Sequence, residues 1–143
     1  MKTKLLLLIA LITFFGLQSF AQSDRYKEGV KKLKELGYTI ADEMKVNISE
    51  GMTGYSYRKF YGSLKYAVFA ISEDKDVIDL DVYVYNEDGE VVEKDADESD
   101  IAVVSFKTGY DTDGKIVIKN YKSKDPDYKS LCRYVVAYKG NDD

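Results

Sequence analysis

From Tyr38 to Lys139 the chain alternates apolar and polar residues, in short runs separated by Gly, Asp, Asn and Ser. A strand sends successive side chains to opposite faces, whereas a helix repeats about every 3.6 residues. The pattern therefore specifies β-structure. The runs are Tyr38–Ile48 (the weakest), Gly51–Tyr61, Leu64–Ser72, Val77–Tyr85, Glu90–Asp95, Ile101–Phe106, Lys115–Tyr121 and Tyr128–Lys139. Leu64–Ser72 is apolar on both sides and reads as a central strand. No helical pattern separates the runs, which argues against parallel βαβ units. About seven or eight strands at short turn spacing predict an all-β antiparallel sandwich or barrel.

Two segments precede the strands. Met1–Ala21 has lysines at positions 2 and 4, an apolar run from Leu5 to Leu17, and small residues at Ser19 and Ala21. This is the pattern of a cleavable secretory signal, and the run is shorter than the about 20 residues a membrane span needs. The expectation is a secreted protein, periplasmic or extracellular, with no membrane span in its mature form. Ser23–Leu36 puts Tyr26, Val30 and Leu33 on one helical stripe, with Arg25, Lys27, Lys31, Lys32 and Lys34 around it. Ser23 or Asp24 is placed to cap this helix, and Gly37 to end it, with Tyr38 folding back onto Leu33. The narrow stripe predicts a helix docked on the domain rather than one lying on a membrane. The expected division is a signal peptide at 1–21, an N-terminal amphipathic helix at 22–37 and a β-sandwich domain at 38–143.

Composition narrows function mainly by what is missing. The chain has no histidine. That removes Ser-His-Asp and Cys-His catalysis, His-ligated zinc and the usual neutral-pH proton shuttle. Cys132 is the only cysteine, so no internal disulfide can form and packing must hold the fold. Without a histidine partner, Cys132 reads as a small core residue. The net charge is −4, and loss of the basic signal would make it more negative. An acidic domain is a poor match for nucleic acid.

The carboxylates of Val77–Asp95, "VIDLDVYVYNEDGEVVEKD", are the first candidate site. Read as a strand, Val77–Tyr85 puts Ile78, Leu80, Val82 and Val84 on one face and Asp79, Asp81, Tyr83 and Tyr85 on the other. The aliphatic face belongs to the core, which leaves the aspartates solvated. They stand about 6.5–7 Å apart along the strand, within the carboxylate separation of inverting glycosidases. A general acid at neutral pH needs burial or a close like charge to raise its pKa, and a solvated face supplies little of either. Calcium fits the residue types better, with Asp79 and Asp81 as ligands and Asp95, Asp97 and Asp100 as further donors. The turns Asn86–Gly89 and Asp111–Gly114 do not fit an EF-hand loop. They read as hairpin turns in which Asp accepts backbone hydrogen bonds and Gly supplies positive φ.

The tyrosines are the second candidate. Tyr55, Tyr57 and Tyr61 share one side of their run, and Tyr83 and Tyr85 lie on the polar side of theirs. If the two strands are neighbours, Tyr55, Tyr57, Tyr83 and Tyr85 make a binding face for carbohydrate or protein. The competing expectation is that the N-terminal helix and lysine stems cover these rings.

Four motifs in order, "DLDVYVYNEDGEVVEKD", "VVSF", "DGKIVIKNY" and "YVVAYK", resemble the bacterial pre-peptidase C-terminal domain over Gly51–Lys139. The resemblance implies a jelly-roll-like antiparallel β-sandwich without catalytic activity. It implies an accessory or binding role toward an extracellular polymer or protein, with calcium in some members. Asp79 and Asp81 are the residues that carry the calcium expectation over. The sequence is expected to carry no protease beside this domain, which would leave the accessory role without its usual partner. The two competing expectations are a structural or stress-protective envelope protein without a ligand, and an acid-only hydrolase.

Overall fold

The computed structural model describes residues 22–141. The predicted signal peptide at 1–21 lies outside them. One helix, α1 (Gln22–Glu35), precedes eight strands. These are β1 (Thr39–Ile48), β2 (Thr53–Phe60), β3 (Leu64–Ser72), β4 (Val77–Tyr85), β5 (Val91–Asp95), β6 (Ile101–Phe106), β7 (Thr112–Ser123) and β8 (Ser130–Gly140). They form two four-stranded sheets, in the orders β1-β8-β3-β6 and β2-β7-β4-β5, with every pair antiparallel. Eight strands shared between two sheets in this way make a jelly roll. The fold class read from the alternation is the one observed.

The inner faces of the two sheets meet in one core. The first sheet contributes Tyr66, Val68 and Ala70 from β3, Ala102, Val104 and Phe106 from β6, and Cys132, Tyr134 and Val136 from β8. The second contributes Phe60, Leu80, Val82, Val84, Ile116 and Ile118. Phe60, Tyr66 and Phe106 pack with ring centroids 5.0–5.5 Å apart. Each large apolar side chain buried here contributes roughly 1.5–3 kcal/mol, which suffices without a disulfide.

The first sheet is apolar on its outer face as well, and α1 covers it. Tyr26 and Leu33 pack with Ala67, Phe69, Ile71, Val103, Val135 and Ala137. Gly29 makes the close approach possible, since a Cβ there would lie 2.3 Å from the Phe69 ring. Polar ties fix the angle. Arg25 donates twice to Asp100, at 2.8 and 3.1 Å, and the Tyr26 hydroxyl donates to Glu43 at 2.9 Å. The Arg133 guanidinium lies 3.7 Å from the Tyr26 ring centre. The helix ends as its sequence predicts. Gly37 takes φ 86°, its N–H donates to Lys34 O, and the Tyr38 N–H donates to Leu33 O. That is the Schellman pairing, and it lays Tyr38 against the same cluster as Leu33. The helix already includes Ser23 and Asp24, so neither stands outside it as a cap; Asp24 sits in the first turn, where its charge suits the helix dipole.

Three local readings are corrected. A bulge between Val77 and Leu80 shifts the phase of β4, so Val77 and not Ile78 joins the core with Leu80, Val82 and Val84. Asp111–Gly114 is not a hairpin turn: β6 and β7 lie in different sheets, the link between them takes positive φ at Gly109 (77°), and Gly114 lies inside β7. Gly114 is required by space: a Cβ would meet the Phe60 ring at 2.3 Å and Tyr85 O at 2.6 Å. In the first hairpin Gly89 takes positive φ as expected, but Asn86 rather than Asp88 accepts the backbone N–H groups, from Asp88 and Glu90.

Candidate functional site

Because α1 takes the first sheet, no helix among the described residues lies on the outer face of the second. Strand register builds that face row by row. Tyr57 lies beside Lys115, and Lys115 beside Tyr85. The next row is Tyr55, Val117, Tyr83 and Lys94. The row beyond is Thr53, Lys119 and Asp81, with Tyr121 two residues further along β7. The four predicted face residues, Tyr55, Tyr57, Tyr83 and Tyr85, are therefore brought together on the two strands that flank β7. Tyr57 is 72% exposed and Tyr55 57% exposed, so the expectation that the helix covers them is overturned.

The rings are arranged against each other and against lysines. Tyr55 and Tyr57 meet edge-on at 5.6 Å, and Tyr83 and Tyr85 stack at 6.4 Å. The Lys115 ammonium sits 4.5 Å from the Tyr55 ring centre and 5.7 Å from that of Tyr57, and the Lys119 ammonium sits 5.3 Å from that of Tyr121. An ammonium over a ring face is held by the ring quadrupole, so these lysines are positioned although no carboxylate grips them. Between Tyr57 and Tyr85 runs an open groove of about 770 Å³, floored by Gly114, Lys115 and Val117 and closed at one end by Asn86 and Glu87. Lys115, Lys119 and Tyr121 belong to this face but are not singled out by reading each run alone. The signal is present, since "KIVIKNY" alternates aliphatic residues with Lys115, and Lys119 and Tyr121 continue the same outward set.

The aspartates are not on a solvated face. Asp79 is 6% and Asp81 3% exposed. The link after β5 folds over them: the Leu80 N–H donates to Ser99 O at 2.7 Å, and the Ser99 N–H reaches Asp79 Oδ1 at 3.4 Å. Asp81 Oδ2 accepts from the Tyr83 hydroxyl at 3.2 Å, while Asp81 Oδ1 is buried with no hydrogen-bond partner. Burial pushes the Asp81 carboxyl above its ordinary range, and the neighbouring Asp79 and Asp95 carboxylates add to this. Burial also raises Asp95, against the pull of N–H groups from Val103 and Asp97. A calcium ion needs six to eight oxygens. Among the described residues no group of three or more acidic, His or Cys side chains is placed to hold a metal. Both Asp95 oxygens are already committed to backbone donors. Cys132 is buried, and desolvation pushes its thiol up to about 12, as expected of a core residue.

No family model matches the chain, and no curated protein matches it. Solved structures with a similar course of the chain exist. A Bacillus endospore appendage pilus protein aligns at 11% identity over 73% of this chain and 91% of its own, with a TM-score of 0.39. A CBM36 domain of a multidomain xylanase, from the hindgut metagenome of Trinervitermes trinervoides, aligns at 11% identity over 74% and 94%, with a TM-score of 0.40. The carbohydrate-binding module CBM36 in complex with calcium and xylotriose aligns at 13% identity over 73% and 93%, with a TM-score of 0.37. What this chain does has to be read from its own side chains.

Proposed function

We propose that this chain is a secreted, non-catalytic binding module that holds an extracellular polysaccharide on the outer face of the β2-β7-β4-β5 sheet. The carrying observation is the set of tyrosines on either side of β7, Tyr55 and Tyr57 on β2 and Tyr83 and Tyr85 on β4, flanking an open groove over which no helix of the described residues lies. A tyrosine ring offers an apolar plane to a sugar face and a hydroxyl to its edge. A pleated sheet holds such rings in fixed rows, so little conformational entropy is lost on binding. A chain of sugars is longer than one groove, and the rows of rings continue past the groove toward Tyr121.

The non-catalytic reading rests on the same residues. No histidine is present, and the Asp79–Asp81–Asp95 carboxylates are roofed by the link after β5, away from the groove. Secretion rests on Met1–Ala21, and membership of the pre-peptidase C-terminal family on the motifs of β4 to β8; both belong to this proposal. The test is binding to a panel of soluble polysaccharides by affinity electrophoresis. Tyr57→Ala/Tyr85→Ala should weaken binding about tenfold or more, the usual cost of removing central aromatic contacts. Binding left unchanged by this pair, with the variant folded, would move the site elsewhere.

A further inference from the structure

We infer that the polysaccharide held by this face is anionic, carrying carboxylate or sulfate groups; the inference rests on the binding-face reading above. The face is locally cationic on a protein whose net charge is negative. Lys59, Lys94, Lys115 and Lys119 all emerge on the outward positions of β2, β5 and β7. None of the four is in a salt bridge among the described residues. The arginines are matched, Arg25 to Asp100, Arg58 to Asp42 and Arg133 to Glu73, whereas lysines off the face such as Lys27, Lys31 and Lys34 also stand outside ion pairs among the described residues; what sets Lys115 and Lys119 apart is their seat on tyrosine rings. Two carboxylates share the lysine rows. Asp113 stands across from Lys59 at the end of the face without closing an ion pair with it. Asp81, across from Lys119, is buried and pushed toward its neutral form.

The central lysines of this face are thus set on rings and left without ion-pair partners. A neutral sugar gains little from that arrangement, because Lys115 stands over the Tyr55 and Tyr57 rings that it would stack on. An anionic sugar meets the same rings but gains in addition from an ammonium already positioned. Lys115 and Lys119 stand about 13 Å apart along β7, and the four strands span about 14 Å across. A polymer with a charge on each repeat can meet several of these ammonium groups at once, whereas a single small anion cannot. Single-stranded nucleic acid also combines charge with stacking rings. The overall negative charge opposes it, because a nucleic acid's dense phosphates feel the whole molecule.

The experiment uses matched polymer pairs that differ only in charge: polygalacturonate against its fully methyl-esterified form, and dextran sulfate against dextran. Binding to at least one charged member should be about tenfold tighter than to its neutral partner at low salt, and should weaken as salt is added. Lys115→Gln/Lys119→Gln should cost about five- to tenfold toward the charged member and so narrow its advantage over the neutral one. Lys115→Arg/Lys119→Arg should keep the parent's preference for the charged member. A control triple, Lys27→Gln/Lys31→Gln/Lys34→Gln, removes charge from α1 on the opposite side of the sandwich and should change little. Equal, salt-independent binding to both members of each pair would overturn the anionic inference and leave the binding face standing. Binding that follows the α1 lysines, or tighter binding to single-stranded DNA than to any polysaccharide, would also overturn it. No binding to any polysaccharide would bring down both readings.

Discussion

Asp81→Asn should stabilise this protein at neutral pH. The native carboxylate is 3% exposed, has one oxygen without a partner, and faces two further carboxylates, Asp79 and Asp95. Asparagine keeps the shape and can still accept from the Tyr83 hydroxyl through its amide oxygen. It removes the charge and replaces the orphan acceptor with an N–H donor facing carboxylates. Leaving a buried polar group unsatisfied costs about 1–3 kcal/mol, so the substitution should gain a similar amount. For a domain of roughly 120 residues that raises Tm by about 4 °C per kcal/mol. The pH dependence fixes the sign. Asp81 has a folded pKa above its unfolded value, so its favourable share is fully present below the ordinary carboxylate pKa. That share is lost as pH rises through the raised folded value. The advantage of Asp81→Asn should therefore be smallest in acid, below the ordinary carboxylate pKa, and grow as pH rises through the raised folded value. The assay is a series of thermal melts of both proteins from acid to neutral pH, in chelator and again in millimolar calcium. A variant no more stable than the parent at neutral pH in chelator refutes the reasoning, as does a difference that persists unchanged in acid. A rise in parent Tm with calcium that the variant lacks would show a cation at Asp79 and Asp81 in place of unrelieved repulsion.

Other perturbations follow from the same packing. Asn120 is fully buried, and its Nδ2 donates to Ile48 O at 3.2 Å and to Ser123 Oγ at 2.8 Å, tying the end of β1 to β7 in the opposite sheet. Asn120→Ala should cost about 2–4 kcal/mol in urea denaturation, because Ile48 O loses its side-chain donor and a cavity is left. A loss under about 0.5 kcal/mol, the size of a surface substitution, would count against the tie. Gly114→Ala should cost about 1–3 kcal/mol by forcing Phe60 and the β4 backbone apart, and wild-type stability would contradict the contact geometry. Cys132 should resist alkylation in the native state near pH 8 and react on unfolding; rapid native labelling would contradict its burial and raised pKa.

The strands are legible in the sequence because side-chain alternation is a local property, carried by each run on its own. The misreadings share a non-local cause. Ile78 leaves the core because a bulge takes up one residue of β4, and period counting cannot register an inserted residue. Asp79 and Asp81 are buried because the link after β5, about twenty positions away, closes over them. Gly114 reads as a turn glycine because Asp-Gly is turn chemistry; the Phe60 ring that demands its missing Cβ arrives from another strand.

The placement of the open tyrosine face is decided by a signal already in the runs, though one strand at a time does not show it. Leu64–Ser72 is apolar on both sides, and Ile101–Phe106 and residues 134–137 of β8 share this; a sheet built from such strands must be covered on both sides. The chain has one amphipathic helix among its described residues, and these strands claim it. The strands that alternate most regularly, Thr53–Phe60 and Thr112–Ser123, then form the sheet left open, and their outward residues include the tyrosines and lysines of the face. The tyrosines are exposed because the helix has a better surface elsewhere. The exposed rings leave apolar surface in water, which is the physical ground for proposing this face as the site.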